Sequence, residues 1–124
     1  MNKFFLQSDI VEIVEGLNDS VKKFSGKTII LTGGRGFLGR YFIEVFNYIS
    51  TNILEKPIRL IVLDNLIASG NEGANFPDYK NITFINHNVI QQFEFEEKVD
   101  FIIHAAGIAS PYYYKKFPLE TLMI

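Results

Sequence analysis

Three glycines, Gly33, Gly36 and Gly39, recur at three-residue intervals within Thr-Ile-Ile-Leu-Thr-Gly-Gly-Arg-Gly-Phe-Leu-Gly, residues 28 to 39. An apolar run of strand type precedes them and a helical pattern follows, and this is an arrangement that holds a pyrophosphate. Gly33 lets the chain turn tightly off the strand, Gly36 lets backbone N–H groups approach phosphate oxygens, and Gly39 lets the helix lie close to the sheet. The helix start adds N–H groups without intrahelical acceptors and the positive end of its dipole.

A second chemical position is Asp64, which ends the apolar run Ile58-Arg59-Leu60-Ile61-Val62-Leu63 and stands 25 residues after Gly39. A carboxylate about 20 residues beyond the glycines accepts hydrogen bonds from the adenosine ribose and repels a 2′-phosphate, so this spacing predicts NAD in preference to NADP. The plainer reading of Asp64 is a turn residue after a strand. Arg35, inside the loop, works against the preference if its guanidinium meets a phosphate, and it is equally readable as a solvated side chain. The two histidines, His87 and His104, fall at strand ends too far apart in sequence to suggest a metal pair, and the chain has no cysteine for a thiolate site or a disulfide. No metal is expected.

The elements that must position these residues follow from hydrophobic period. Leu38, Tyr41, Phe42, Val45, Phe46 and Ile49 recur as one face of a helix turned toward a sheet. The run from Ile58 to Asp64 has the continuous apolar character of a parallel strand covered on both faces. Ile82-Thr83-Phe84-Ile85 reads as a third strand and Asp100-Phe101-Ile102-Ile103-His104 as a fourth, with a charged connection from Glu94 to Lys98 between them. Residues 65 to 81, rich in Asn, Gly and Ser, read as a loop with at most a short helix. Ahead of the first strand, residues 1 to 26 form a helical extension with Ile10, Ile13, Val14, Leu17 and Val21 at helical spacing. Asp9 and Glu12 resemble a capping box there, with Asp in the Ser/Thr place.

Composition bounds the function classes. A chain of 124 residues allows one domain, and 48% apolar against 21% charged residues reads as globular. A net charge of −2 with no basic stripe argues against a nucleic-acid partner. No apolar run reaches the roughly 18 residues of a membrane span, and acidic residues occupy the start of the chain where a signal peptide would be apolar. These features predict a soluble cytoplasmic protein without a membrane partner.

With all four strands in view, the chain resembles the extended short-chain dehydrogenase/reductase group, the NAD-dependent nucleotide-sugar epimerases, dehydratases and decarboxylases. Thr-Gly-Gly-Arg-Gly-Phe-Leu-Gly is similar to that group's TGGxGFxG loop, and Leu63-Asp64-Asn65-Leu66 to its LDNL. His104-Ala105-Ala106-Gly107-Ile108-Ala109-Ser110-Pro111 is similar to its HLAAxASP, and Tyr114 with Pro118 resembles the following Y…NP of UDP-glucuronate decarboxylases. The resemblance implies an α/β fold, a Rossmann-type doubly wound parallel sheet, here incomplete with about four strands, over residues 27–124. It implies that Gly33, Gly36, Phe37 and Leu38 line the pyrophosphate of NAD and that Asp64 and Asn65 meet the adenosine ribose. Asn88, with Val89 beside it, stands where the group has Asp for the adenine, and Ala105, Ala106 and Gly107 flank the cofactor beside the fourth strand. Gly107 in place of alanine and Phe117 in place of asparagine depart from the decarboxylase pattern.

The resemblance further implies hydride chemistry by a Tyr-x-x-x-Lys pair on a later helix, the lysine lowering the phenol pKa. Tyr112 and Lys116 have that spacing but fall directly after the fourth strand, so they are read as coincidental and no catalytic residue is assigned. The expected activity is modification of a nucleotide sugar through a 4-keto intermediate, of which this chain carries the cofactor half, with a second copy or a carboxyl-terminal half as partner. A non-catalytic NAD-binding or subunit-interaction module is the alternative, and a structural partner that binds no NAD is a third.

Overall fold

In the computed structural model, residues 6–65, 78–107 and 111–124 are described. The element order is α1 (Gln7–Leu17), a 3-10 segment (Asn18–Phe24), β1 (Thr28–Thr32), α2 (Phe37–Asn52), β2 (Arg59–Asp64), β3 (Ile82–Asn86), β4 (Phe101–His104), α3 (Pro111–Lys116) and α4 (Pro118–Met123). The strands form one parallel sheet in the order β3-β2-β1-β4. This is the Rossmann-type arrangement expected from the sequence, in which the chain winds outward from β1 to β3 and then returns to the other side of β1. The loop expected over residues 65–81 lies mostly outside the described residues.

Strand alternation divides the core in two. Ile29 and Leu31 of β1 and Leu60 and Val62 of β2 face α2, where they meet Ile43, Phe46 and Ile49 together with Ile10 and Val14 of α1. Ile30, Ile61 and Leu63 point the opposite way and are covered by Ile85, Val89, Phe93, Phe95 and Val99 from the segment after β3. Every residue from Leu60 to Leu63 is therefore buried, which explains the uninterrupted apolar run of β2. On β4 the cover stops, and Ile102, on the same face as Ile30, is 68% exposed.

Two expectations are corrected in detail. The buried side of α2 is centred on Gly39, Ile43, Phe46 and Ile49, whereas Leu38 and Phe42 are exposed. Gly39 decides this rotation, because the helix touches the loop backbone there and the positions four and seven residues on must share that face. The supposed capping box also fails. Helix α1 begins at Gln7 after Leu6, with no side-chain cap, and Asp9 lies inside its first turn, where its carboxylate accepts a hydrogen bond from the Tyr41 hydroxyl at 2.9 Å. An acid in the first turn is favourable against the dipole without being a cap, and here it also ties α1 to α2. The α-helix stops at Leu17, since Asn18 takes φ 51°, so Val21 reaches the core from the 3-10 segment. Gly26, at φ +69°, then turns the chain toward β1.

Candidate functional site

The carboxyl ends of four parallel strands converge on one rim, and the loop from β1 to α2 crosses its middle. Gly33 adopts φ +74°, a region closed to most side chains, and donates its N–H to Leu63 O at 2.8 Å. A Cβ on Gly33 would lie 2.6 Å from Ala106 N and 2.7 Å from the Ala105 carbonyl, so the end of β1 abuts the end of β4 with no room for a side chain. A Cβ on Gly39 would overlap the Gly33 carbonyl oxygen, bringing the first turn of α2 against the loop itself rather than against the sheet. Gly36 differs from both. It is the N-terminal cap residue of α2, its backbone is extended at φ −74° and ψ 174°, and among the described residues only Gly33 O, at 3.3 Å, approaches its missing Cβ.

The helix start has the electrostatics of an anion site. No side chain caps it and no acidic residue lies in its first turn, so its leading N–H groups and the positive dipole end face the rim. Phe37 and Leu38, 73% and 64% exposed, flank this point as apolar lips. The Phe37 ring rests 5.4 Å from that of Tyr41.

Asp64 closes one side of the loop. Its Oδ2 accepts the backbone N–H of Arg35 at 2.8 Å, so strand β2 and the glycine loop are joined through the acid singled out from its spacing. The Asp64 carbonyl accepts the N–H of His87, drawing the exit of β3 toward the same place. Beyond it, Asn88 folds into a turn, its Oδ1 accepting the Ile90 N–H at 3.2 Å and its carbonyl the Gln91 N–H at 2.9 Å. Val89 packs beneath the sheet with Ile61 and Leu63. Asn65 directly follows β2.

On the other side stands a junction that sequence reasoning did not identify. Thr32 Oγ1 and His104 Nδ1 lie 2.7 Å apart, and the same hydroxyl accepts the N–H of Ala106 at 3.2 Å. Residues 32 and 104 end adjacent strands in register, which is why they meet. Gly107 follows Ala105 and Ala106, and among the described residues nothing lies within 4 Å of a Cβ placed on it. Gly34 was also missed. A Cβ there would overlap Val62 Cγ1 and lie 3.2 Å from Ile43 Cδ1, so the second glycine of Thr-Gly-Gly is required by the core. The only sequence signal for it was the doubled glycine.

The residues assigned to the cofactor thus share one rim, in the sequence loop–Asp64–Asn88 on one side and Ala105–Gly107 on the other, except Val89, whose side chain packs beneath the sheet. Tyr112 and Lys116 lie on α3, with Lys116 Nζ 5.7 Å from the Tyr112 ring centroid. Ile108, Ala109, Ser110 and Leu66 lie outside the described residues. Among the described residues no cluster of His, Cys, Asp and Glu is suited to a metal ion, and no helix is long and apolar enough to cross a membrane.

Residues 29–124 match the NAD dependent epimerase/dehydratase family. Among curated proteins the chain is 30% identical over 102 residues to UDP-glucuronic acid decarboxylase 2 of Arabidopsis thaliana, covering 81% of this chain and 21% of that protein. It is 30% identical over 97 residues to UDP-glucuronic acid decarboxylase 1 of Danio rerio and, likewise, of Xenopus tropicalis, in each case 77% of this chain and 21% of the relative. The chain spans about a fifth of the length of these relatives. No solved structure matches it.

Proposed function

Because this chain belongs to the NAD dependent epimerase/dehydratase family, we propose that it forms the NAD-binding part of an enzyme that remodels a nucleotide sugar through a 4-keto intermediate. The observation that carries this reading is the convergence on one rim of an uncapped helix start, the open Gly36 and the carboxylate of Asp64. These groups suit a pyrophosphate joined to a ribose: N–H donors for the anion, then an acid for the hydroxyls. Bound NAD supplies a hydride acceptor for the sugar C4.

The chain's own residues hold and orient that cofactor. Gly33, Gly36, Phe37 and Leu38 take the pyrophosphate, Asp64 and Asn65 the adenosine ribose, Asn88 and Val89 the adenine side, and Ala105, Ala106 and Gly107 the edge beside β4. The phenol and lysine that move the proton are assigned to residues other than Tyr112 and Lys116. Names of the relatives support a UDP-sugar acid as substrate and decarboxylation as outcome. We assign the protein to the cytoplasm, with a second copy or the rest of the enzyme as its partner.

Titration calorimetry with NAD and NADP tests the reading. NAD is expected to bind more tightly, and Asp64→Ala to narrow the gap by removing both a ribose acceptor and the repulsion of a 2′-phosphate. Equal or tighter binding of NADP by the unsubstituted chain would refute the preference. Failure to bind either would refute the cofactor assignment.

A further inference from the structure

We propose that Arg35 is a base-stacking residue, its guanidinium plane, carried on the Phe84 ring, forming the platform for the adenine of the bound dinucleotide. This rests on the cofactor assignment above and adds a residue to it.

Sheet order sets the direction. The anion-binding helix start lies at the end of β1, and Asp64 lies at the end of the next strand, β2. The strand beyond β2 is β3. A dinucleotide with its pyrophosphate at the first position and its ribose at the second therefore directs its base toward β3. Arg35 makes the same passage. Its main-chain N–H is bonded to Asp64 on β2, and its guanidinium carbon sits 5.2 Å from the centroid of Phe84 on β3.

Arg35 is half-buried against the Phe84 ring, with its Nε buried and without a hydrogen-bond partner, at a cost to the fold. Covering Phe84 does not require that cost, since a leucine or the stem of a lysine would cover it without an orphaned donor. What a guanidinium on a ring uniquely offers is a flat, cationic, weakly hydrated face on which a further π system stacks. Adenine has that form, and Asn88, in the turn after β3, supplies an amide near the same rim for its edge. A 2′-phosphate suits the position less well, because any group added to a ribose held by Asp64 meets that carboxylate first.

The test is calorimetric titration of NAD, NADP and ADP into the unsubstituted chain, Arg35→Ala and Arg35→Lys, with circular dichroism to establish that each is folded. Arg35→Ala is expected to weaken NAD and ADP by about five- to tenfold and to similar extents. Arg35→Lys, which keeps the charge and loses the plane, is expected to stay weak. Recovery of affinity in Arg35→Lys would overturn the proposal in favour of a simple charge on the phosphates, and a loss confined to NADP would overturn it in favour of a 2′-phosphate contact. Unchanged NAD and ADP affinity in Arg35→Ala overturns it while leaving the cofactor assignment intact. Absence of any binding by the unsubstituted chain removes both.

Discussion

The glycine loop separates two jobs that a single motif usually conceals, and substitutions at Gly36 and Gly39 read them independently. At Gly39 the first turn of α2 lies on the loop, and an added Cβ would sit 2.6 Å from Gly34 Cα as well as overlapping the Gly33 carbonyl. Both neighbours are backbone and neither can rotate away. Helix propensity alone favours alanine over glycine by about 1 kcal/mol. Overpacking against backbone costs up to about 3 kcal/mol, so Gly39→Ala is expected to lose about 2 kcal/mol net. At Gly36 the extended backbone accepts any residue, and the nearest atom, Gly33 O at 3.3 Å, needs to shift only a few tenths of an ångström. Placing valine at a helix cap costs about 1 kcal/mol, while its methyl groups fill the space assigned to the pyrophosphate. Urea unfolding paired with NAD titration by fluorescence is the assay. Gly39→Ala should shift the unfolding midpoint strongly, whereas Gly36→Val should shift it little and abolish NAD binding. If Gly36→Val binds NAD as the parent does, the loop holds no dinucleotide. If it unfolds as readily as Gly39→Ala, the division of labour is wrong.

Three other outcomes follow from the described contacts. The Thr28 N–H, at 2.9 Å, holds the Asp100 carboxyl below its ordinary value, with help from Lys98 and Lys27 and against some desolvation. Its contribution is complete above the ordinary carboxylate pKa of about 4 and is lost as pH falls through the lowered one, so Asp100→Asn should flatten the acid limb of melting temperature against pH. Glu44 is the opposite case: burial raises its carboxyl pKa despite the Tyr79 hydroxyl, and stability present below the ordinary value is lost as pH rises through the raised one. Glu44→Gln keeps an acceptor for Tyr79 and should raise the melting temperature at pH 7 by a few degrees, with a fall there showing that the charge is wanted. Finally, Tyr112→Phe with Lys116→Ala should leave NAD affinity unchanged by calorimetry, because a catalytic lysine would hold the nicotinamide ribose and these residues are assigned no such contact.

What the sequence disclosed, and what it hid, divides along sequence distance. The strand–loop–helix order around the glycines and the buried run of β2 are legible because each is a local pattern whose physical reason lies within a few residues. The face of α2 is not legible from apolar period alone, in which Leu38 and Phe42 weigh the same as Phe46. The register is set instead by the one residue of α2 that must have no side chain, Gly39. Asp9 reads locally as a cap because its actual partner, Tyr41, is 32 residues away. Gly34 carries little local signal for a similar reason: its obligation is to Val62, on a strand that only the fold brings beside it. The pairing of Thr32 with His104 depends on β1 and β4 being neighbours, which no local pattern encodes.

That last pairing has a thermodynamic consequence. Strand β4 has only four residues, exposes Phe101 and Ile102, and is fastened to β1 across 72 residues of chain, with Thr32, His104 and Ala106 as the clasp at the rim. A ligand seated across the two strand ends recognises only the docked arrangement. By mass action it stabilises that arrangement by about 2.7 kcal/mol when present at a hundredfold its Kd. The cofactor would then be more than cargo for this rim: occupancy would report, and reinforce, the attachment of the shortest of the described strands.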